Sequence, residues 1–186
     1  MIANRRTFLS LLAGALASPA VGEESASRPT AYAFSFKGLA GGEIALYAYA
    51  GKPILVVNVA SLCGYTPQYT GLQELWTRYR RRGLMILGVP SNDFFQEPGA
   101  AAEIEATAHQ YKVDFPLTEK TSVKGAGAHP FYKWAALEKP LDRPRWNFHK
   151  YLVGRDGRIA AAFATAIEPA DARVIAAVEK ELGKEA

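Results

Sequence analysis

The sequence predicts an α/β domain in which an N-terminal β-hairpin precedes a central mixed sheet flanked by helices. Three observations carry this. Ile54-Leu55-Val56-Val57-Asn58-Val59 and Leu84-Met85-Ile86-Leu87-Gly88-Val89 are short apolar runs, suited to strands buried on both faces. Between them Leu72, Leu75, Trp76 and Tyr79 recur at i, i+3, i+4 and i+7, the stripe of an amphipathic helix. Further on, Gly154-Arg155-Asp156-Gly157 sets Asp-Gly turn chemistry between two extended segments.

The elements follow in order. Ala33–Phe36 and Glu43–Leu46 flank Gly38, Gly41 and Gly42, which predicts the N-terminal hairpin. After the first buried strand, Thr66-Pro67 predicts a helix start, with Thr66 as N-cap and Pro67 at the first helical position. Gly83 ends that helix after Arg80, Arg81 and Arg82, whose charges suit a helix C-terminus. Strand, helix, strand in this order makes a right-handed βαβ unit with a parallel pair. An alanine-rich helix is expected over Gly99–Tyr111, a short extended piece at Phe115–Leu117 and a helix over His129–Glu138. Phe148–Val153 and Arg158–Phe163 form the antiparallel hairpin, and a last helix runs from about Pro169 to Leu182. A parallel βαβ half followed by a hairpin and a terminal helix is the order of a thioredoxin-like fold.

Composition narrows the class. Of 186 residues, 49% are hydrophobic and 22% charged, which suits one packed domain and excludes intrinsic disorder. A single cysteine, Cys63, excludes an internal disulfide framework and any multi-cysteine zinc or iron–sulfur site. No apolar run approaches the ~20 residues of a membrane-spanning helix. Arg5-Arg6-Thr7-Phe8-Leu9, a short apolar stretch and then small residues up to Ala20 have the anatomy of an export signal of twin-arginine type. Residues 1–20 are therefore expected to be a signal peptide, 21–30 a flexible lead-in and 31–186 the folded domain, placed in the periplasm. Without Arg5 and Arg6 the charge falls from 22 − 18 = +4 to 20 − 18 = +2, which removes any electrostatic case for nucleic acid. His109, His129 and His149 have no metal-ligand spacing, and Arg78 with Arg80–Arg82 reads as a solvated helix end.

Cys63 lies between the first buried strand and the Thr66-Pro67 helix start. Backbone N–H groups and the positive end of the helix dipole favour a thiolate there, the reactive form of cysteine. A lone cysteine in an exported chain points to a free reactive thiol, against the alternative of a small buried hydrophobe.

The stretch Asn58-Val59-Ala60-Ser61-Leu62-Cys63-Gly64-Tyr65-Thr66 resembles the active-site signature of the glutathione peroxidases, in its cysteine rather than selenocysteine form. Val89-Pro90-Ser91-Asn92-Asp93-Phe94-Phe95-Gln96-Glu97-Pro98 resembles the second motif of that family, and Trp146-Asn147-Phe148-His149-Lys150-Tyr151-Leu152-Val153 the third. The resemblance spans about Ala33 to Leu182. It implies a site of peroxidatic cysteine, glutamine, tryptophan and asparagine, of which three carry over as Cys63, Trp146 and Asn147. A thiolate attacks the peroxide while indole and amide N–H donors stabilise the sulfur and the departing oxygen. The sequence departs from the pattern in carrying Asp93 at the glutamine position. An ionised carboxylate donates no hydrogen bond and opposes a neighbouring thiolate by like-charge repulsion. Gln96, three residues on, is a substitute donor that the family pattern places outside the tetrad, and Ser91 sits where some relatives carry a cysteine.

The resemblance further implies reduction of hydrogen peroxide or organic hydroperoxides in defence against oxidative stress, without a bound cofactor or metal. Many cysteine-type relatives carry a resolving cysteine in the helix matching Ala101–Tyr111, and this chain has none. A Cys63 sulfenic acid must then be reduced by an external thiol, glutathione or a thioredoxin-like protein, through a mixed disulfide. The short path through Pro140 and Pro144 to Trp146 resembles the monomeric branch. The competing reading is a non-catalytic thioredoxin-fold protein for redox sensing or binding, favoured by Asp93 and the missing resolving cysteine. A disulfide oxidoreductase or copper chaperone is disfavoured because Cys63-Gly64-Tyr65-Thr66 lacks a second cysteine.

Overall fold

The computed structural model describes Met1 and residues 28–183. The expected signal peptide at 1–20, Met1 apart, and most of the lead-in at 21–30 lie outside the described residues. Strands β1 (Ser35–Lys37) and β2 (Glu43–Ala45) pair antiparallel as the N-terminal hairpin. A four-stranded sheet follows in the order β4-β3-β5-β6, from β3 (Ile54–Val59), β4 (Met85–Pro90), β5 (Lys150–Val153) and β6 (Ile159–Phe163). β3 pairs parallel with β4 and antiparallel with β5, which in turn pairs antiparallel with β6, so the sheet is mixed. Every residue of β3, β4 and β5 is buried, as apolar strands covered on both faces require.

Helix α1 (Gln68–Tyr79) makes the crossover from β3 to β4, burying Leu72, Leu75 and Tyr79 on one face of the sheet, with Trp76 half-buried beside them. Val174 and Val178 of α4 (Ala172–Leu182) join the same cluster. Phe131, Tyr132, Trp134 and Ala135 of α3 (Pro130–Glu138) pack with Phe36 and Tyr151 in the core of the opposite face. α2 (Ala101–Gln110) lies between β4 and the Phe115–Leu117 segment. That segment reaches β4 through a parallel bridge between Gly88 and Leu117. A Cβ at position 88 would stand 2.4 Å from Leu117 Cδ2, so a larger residue would have to displace the Leu117 side chain. Gly83 adopts φ +107°, the left-handed exit that closes the first crossover.

Two local expectations are corrected. Thr66 does not cap α1: Pro67 takes the cap position, and the Thr66 hydroxyl turns back to Ala60 O and Cys63 O at 2.9 and 2.7 Å. The hydroxyl has a stronger use in closing the cysteine turn. The expected strand from Phe148 begins instead at Lys150, because Phe148 sits at φ +62°, outside the extended region. Arg78, Arg80 and Arg81 at the end of α1 are exposed, and their pairs lie at the surface. Arg80 pairs with Asp114 at 3.0 Å, Arg78 with Glu179 at 3.5 Å, and Arg82 donates to Gly183 O.

Candidate active site

Cys63 occupies the turn between β3 and α1 and is nearly fully buried. The turn is closed by Thr66, whose Oγ1 accepts from Cys63 N at 3.1 Å while donating to the carbonyls behind it. Tyr65 N lies 3.4 Å from Cys63 Sγ and points a backbone donor at the sulfur. At the other end of α1, about 18 Å away at 1.5 Å per residue, stand the arginines, too distant to act on this sulfur.

Two other loops close on the turn. From the β4–α2 loop, Gln96 O accepts from Leu62 N at 3.0 Å. Glu97 Oε2 accepts from Ser61 N and Ser61 Oγ at 2.8 and 2.9 Å. Lys120 Nζ braces the same loop by donating to the carbonyls of Glu97, Pro98 and Gly99. Burial raises the Glu97 carboxyl above its ordinary pKa, against the lowering effect of the Ser61 bonds and Lys120.

The second loop leads into β5. Asn58, in β3, donates through Nδ2 to Trp146 O at 3.1 Å and accepts at its backbone O from Phe148 N. These bonds hold Trp146 and Asn147 beside the end of the cysteine strand. Asn147 is fully buried, its Nδ2 donates to Gln96 Oε1 at 3.0 Å and its O accepts from Thr165 Oγ1 at 2.7 Å. Trp146 is 40% exposed, its ring 5.5 Å from that of Phe94. The left-handed Phe148 lets the chain pass from this turn into β5, and its carbonyl accepts from Lys150 Nζ at 2.7 Å. The same ammonium donates to Gln68 Oε1 in the first turn of α1, so a fully buried lysine ties the tryptophan loop to the cysteine helix. Its pKa falls to about 8 because burial disfavours the charge.

Asp93 behaves differently from the glutamine whose position it takes. Its carboxylate accepts from Ser122 Oγ at 3.0 Å, from Val123 N at 2.6 Å and from Lys124 N at 3.0 Å. Every hydrogen bond of that carboxylate runs to the 122–124 segment, which it anchors. Ser91 is buried, with its Oγ accepting from Asp93 N.

Asn58 Oδ1, Glu97 Oε1, Asn147 Oδ1 and His149 Nε2 are buried without hydrogen-bond partners, and all belong to the segments converging on Cys63. His149, which burial and the adjoining Lys150 push down to about 4, is neutral at physiological pH. Beside Trp146 opens a cavity of about 340 Å³, lined among others by Tyr65, Leu141, Arg143, Arg145 and His149. Leu141 in its wall is an exposed large apolar side chain, as are Leu62 of the cysteine turn and Phe95 of the β4–α2 loop. A larger cleft, about 530 Å³ over Phe36, Ser122 and His129, includes none of Cys63, Gln96, Trp146 or Asn147. Among the described residues no three His, Cys, Asp or Glu side chains form a metal-holding group. His129 instead caps α3 and stacks on Phe36 at 4.1 Å.

Of the residues expected at the site, Trp146 is tied to the cysteine strand through Asn58, Asn147 reaches the cysteine turn through Gln96, and Asp93 bonds to the 122–124 segment instead. No expectation from the sequence covered Glu97, Lys120 and Lys150. The only signal for those was the presence of charged residues inside otherwise apolar or turn-forming motifs.

A lone buried cysteine at a strand–helix junction of a thioredoxin-like fold, with the backbone N–H of Tyr65 at its sulfur, is the arrangement of a thiol-redox protein. The glutathione peroxidase family model matches residues 31–136. Hydroperoxy fatty acid reductase gpx1 of Synechocystis sp. is 40% identical over 164 residues, covering 82% of this chain and 96% of the relative. The crystal structure of Trgpx in apo form superposes with TM-score 0.68 at 33% identity, covering 83% of this chain and 97% of the other. A thioredoxin family thiol:disulfide interchange protein from Chlorobium tepidum superposes with TM-score 0.62 at 15% identity, over 81% and 93% of the two chains, and so shares the fold. The chain belongs to the glutathione peroxidase family and is a thiol-dependent peroxidase.

Proposed function

We propose that Cys63 is the peroxidatic nucleophile and that Trp146 and Asn147 belong to its donor shell. The Cys63 thiolate attacks the terminal peroxide oxygen, the O–O bond breaks as the S–O bond forms, and the alcohol or water leaves with a proton. The observation that carries this reading is the enclosure of the one cysteine by a backbone N–H and by loops bearing Asn147 and Gln96. Chain chemistry then dictates the return path. With one cysteine no internal disulfide is available, so an external thiol condenses with the sulfenic acid, releasing water and leaving a mixed disulfide. A second thiol displaces Cys63 as thiol and departs as the oxidised disulfide. Glutathione or a thioredoxin-like protein supplies these two electrons.

The substrate range includes hydroperoxides carrying an acyl chain. The apolar Leu141 and Trp146 lining the cavity suit a hydrocarbon tail, and Arg143 and Arg145 suit a carboxylate. The activity named for the Synechocystis relative is consistent with this. The enzyme acts as a monomer in the periplasm, delivered by a twin-arginine signal at residues 1–20, and contributes there to defence against oxidative stress.

Stopped-flow mixing of the mature protein with hydrogen peroxide and with a fatty acid hydroperoxide tests the reading. Cys63 gains one oxygen by mass, and Cys63→Ser removes turnover with every reductant. Substantial turnover by Cys63→Ser would overturn the assignment.

A further inference from the structure

We propose that Gln96, not Asp93, supplies the side-chain amide donor that stabilises the reacting oxygen at Cys63. The inference rests on the peroxidase reading above and deepens it by naming a further catalytic residue.

The Asp93 carboxylate is engaged by one hydroxyl and two backbone N–H groups of the 122–124 segment, and an ionised carboxylate has no hydrogen to offer an oxyanion. The position that in the family would carry the donor is therefore spent on anchoring a loop. Three residues on, the same β4–α2 loop brings Gln96 against the cysteine turn from two sides. Its backbone carbonyl accepts from Leu62 N, the residue before Cys63, and its Oε1 accepts from Nδ2 of buried Asn147 at 3.0 Å. Main chain and side chain of Gln96 thus sit between the nucleophile's turn and the Trp146-Asn147 loop.

The orientation of the amide follows. With Oε1 turned to Asn147, the Nε2 end carries two hydrogens that no described residue accepts. Gln96 is half-buried, so part of the residue stays open to solvent while its amide is held by Asn147. The flanking Glu97 is fastened to Ser61 and through the loop to Lys120, which leaves Gln96 little freedom to move away. A fixed, neutral, unpaired N–H pair is the kind of group that stabilises charge developing on a departing oxygen. Neutrality matters, because a neutral donor serves the thiolate and the alkoxide without repelling either.

The test compares Gln96→Glu and Gln96→Ala with wild type in single-turnover oxidation of Cys63 by hydrogen peroxide, followed by intrinsic fluorescence and mass. Gln96→Glu keeps an oxygen that accepts from Asn147 Nδ2 but loses the donor and adds a charge that repels the thiolate, so the Cys63 thiolate fraction is measured in each protein and rates are compared per thiolate. Both variants are expected to lose about 10²-fold in the second-order rate constant near neutral pH, the usual cost of one oxyanion donor. The ratio of the Gln96→Glu rate to the wild-type rate should climb as pH falls from ~7 toward ~4, where a protonated carboxyl regains an O–H donor. With rates taken per Cys63 thiolate, which removes the relief of like-charge repulsion, a residue that merely positioned Asn147 would show no such climb. Asp93→Asn should oxidise within a fewfold of wild type. Gln96→Glu oxidising at the wild-type rate, or a flat ratio across that pH range, would overturn the role given to Gln96. Wild-type Cys63 failing to oxidise at all would instead overturn the peroxidase reading beneath it.

Discussion

Lys150 offers a measurement worked directly from the structure. Its ammonium is fully buried between Phe148 O and Gln68 Oε1, and its pKa stands at about 8 against 10.5 in water. Between those two values the native protein has released a proton that the unfolded chain still holds. The unfolded state therefore binds more protons, and stability rises with pH across this window, whereas below about pH 8 both states are charged and the term is flat. From pH 7 to pH 10 the gain is about 2.5 kcal/mol, taking ~1.4 kcal/mol per pKa unit over the portion of the shift then titrated. Lys150→Met removes this term. It also strips a partner from two acceptors, at about 1–3 kcal/mol each, while relieving the burial of a charge, so its effect at pH 7 is smaller than either contribution alone. The diagnostic is the difference between the two proteins as a function of pH. Tyrosine ionisation is common to both and cancels. Urea unfolding from pH 7 to 10 should show the wild type gaining about 2.5 kcal/mol on the variant, equivalent to roughly 5–10 °C in Tm for a domain of this size. Parallel profiles would refute the claim that the buried site disfavours the ammonium.

His149, pushed down to about 4 against 6.5 when unfolded, should cost the native state stability as pH falls from ~6.5 to ~4, by about 3 kcal/mol in full; His149→Phe should lack that component in the same unfolding series. Asp93→Ala frees Val123 N and Lys124 N and should destabilise the fold by about 1–3 kcal/mol, while Cys63 oxidation slows far less than in the Gln96 variants; a rate loss of 10²-fold would return Asp93 to the site. Replacing Arg5 and Arg6 with lysine should retain the precursor in the cytoplasm, read by cell fractionation, and undiminished periplasmic delivery would remove the twin-arginine reading.

How the fold and site were legible is best seen in particular residues. The buried run Ile54–Val59, the stripe Leu72–Tyr79 and the Asp156-Gly157 turn all lie where their local patterns placed them, since periodicity and turn chemistry act over a few residues. Thr66 was misread for the same reason: a local capping rule competed with a tertiary need to close the turn at Cys63, and the tertiary bond prevailed. Phe148 looked like a strand residue by its neighbours, yet Asn58 O and Lys150 Nζ hold it at φ +62°.

By itself, then, the sequence determined the α/β order of elements, the place of the lone cysteine at a strand–helix junction and the need for an external reductant. Each of these depends on residue identity and near neighbours alone. Only the tertiary structure decided that Asp93 turns to residues 29 to 31 positions away, and that Gln96 meets Asn147 across a separation of 51. It also decided that Lys150 is buried under α1, 82 residues from its partner Gln68. These outcomes depend on which way a loop folds across its neighbours, and that direction is set by the joint hydrogen-bond and packing balance of distant segments rather than by any local pattern.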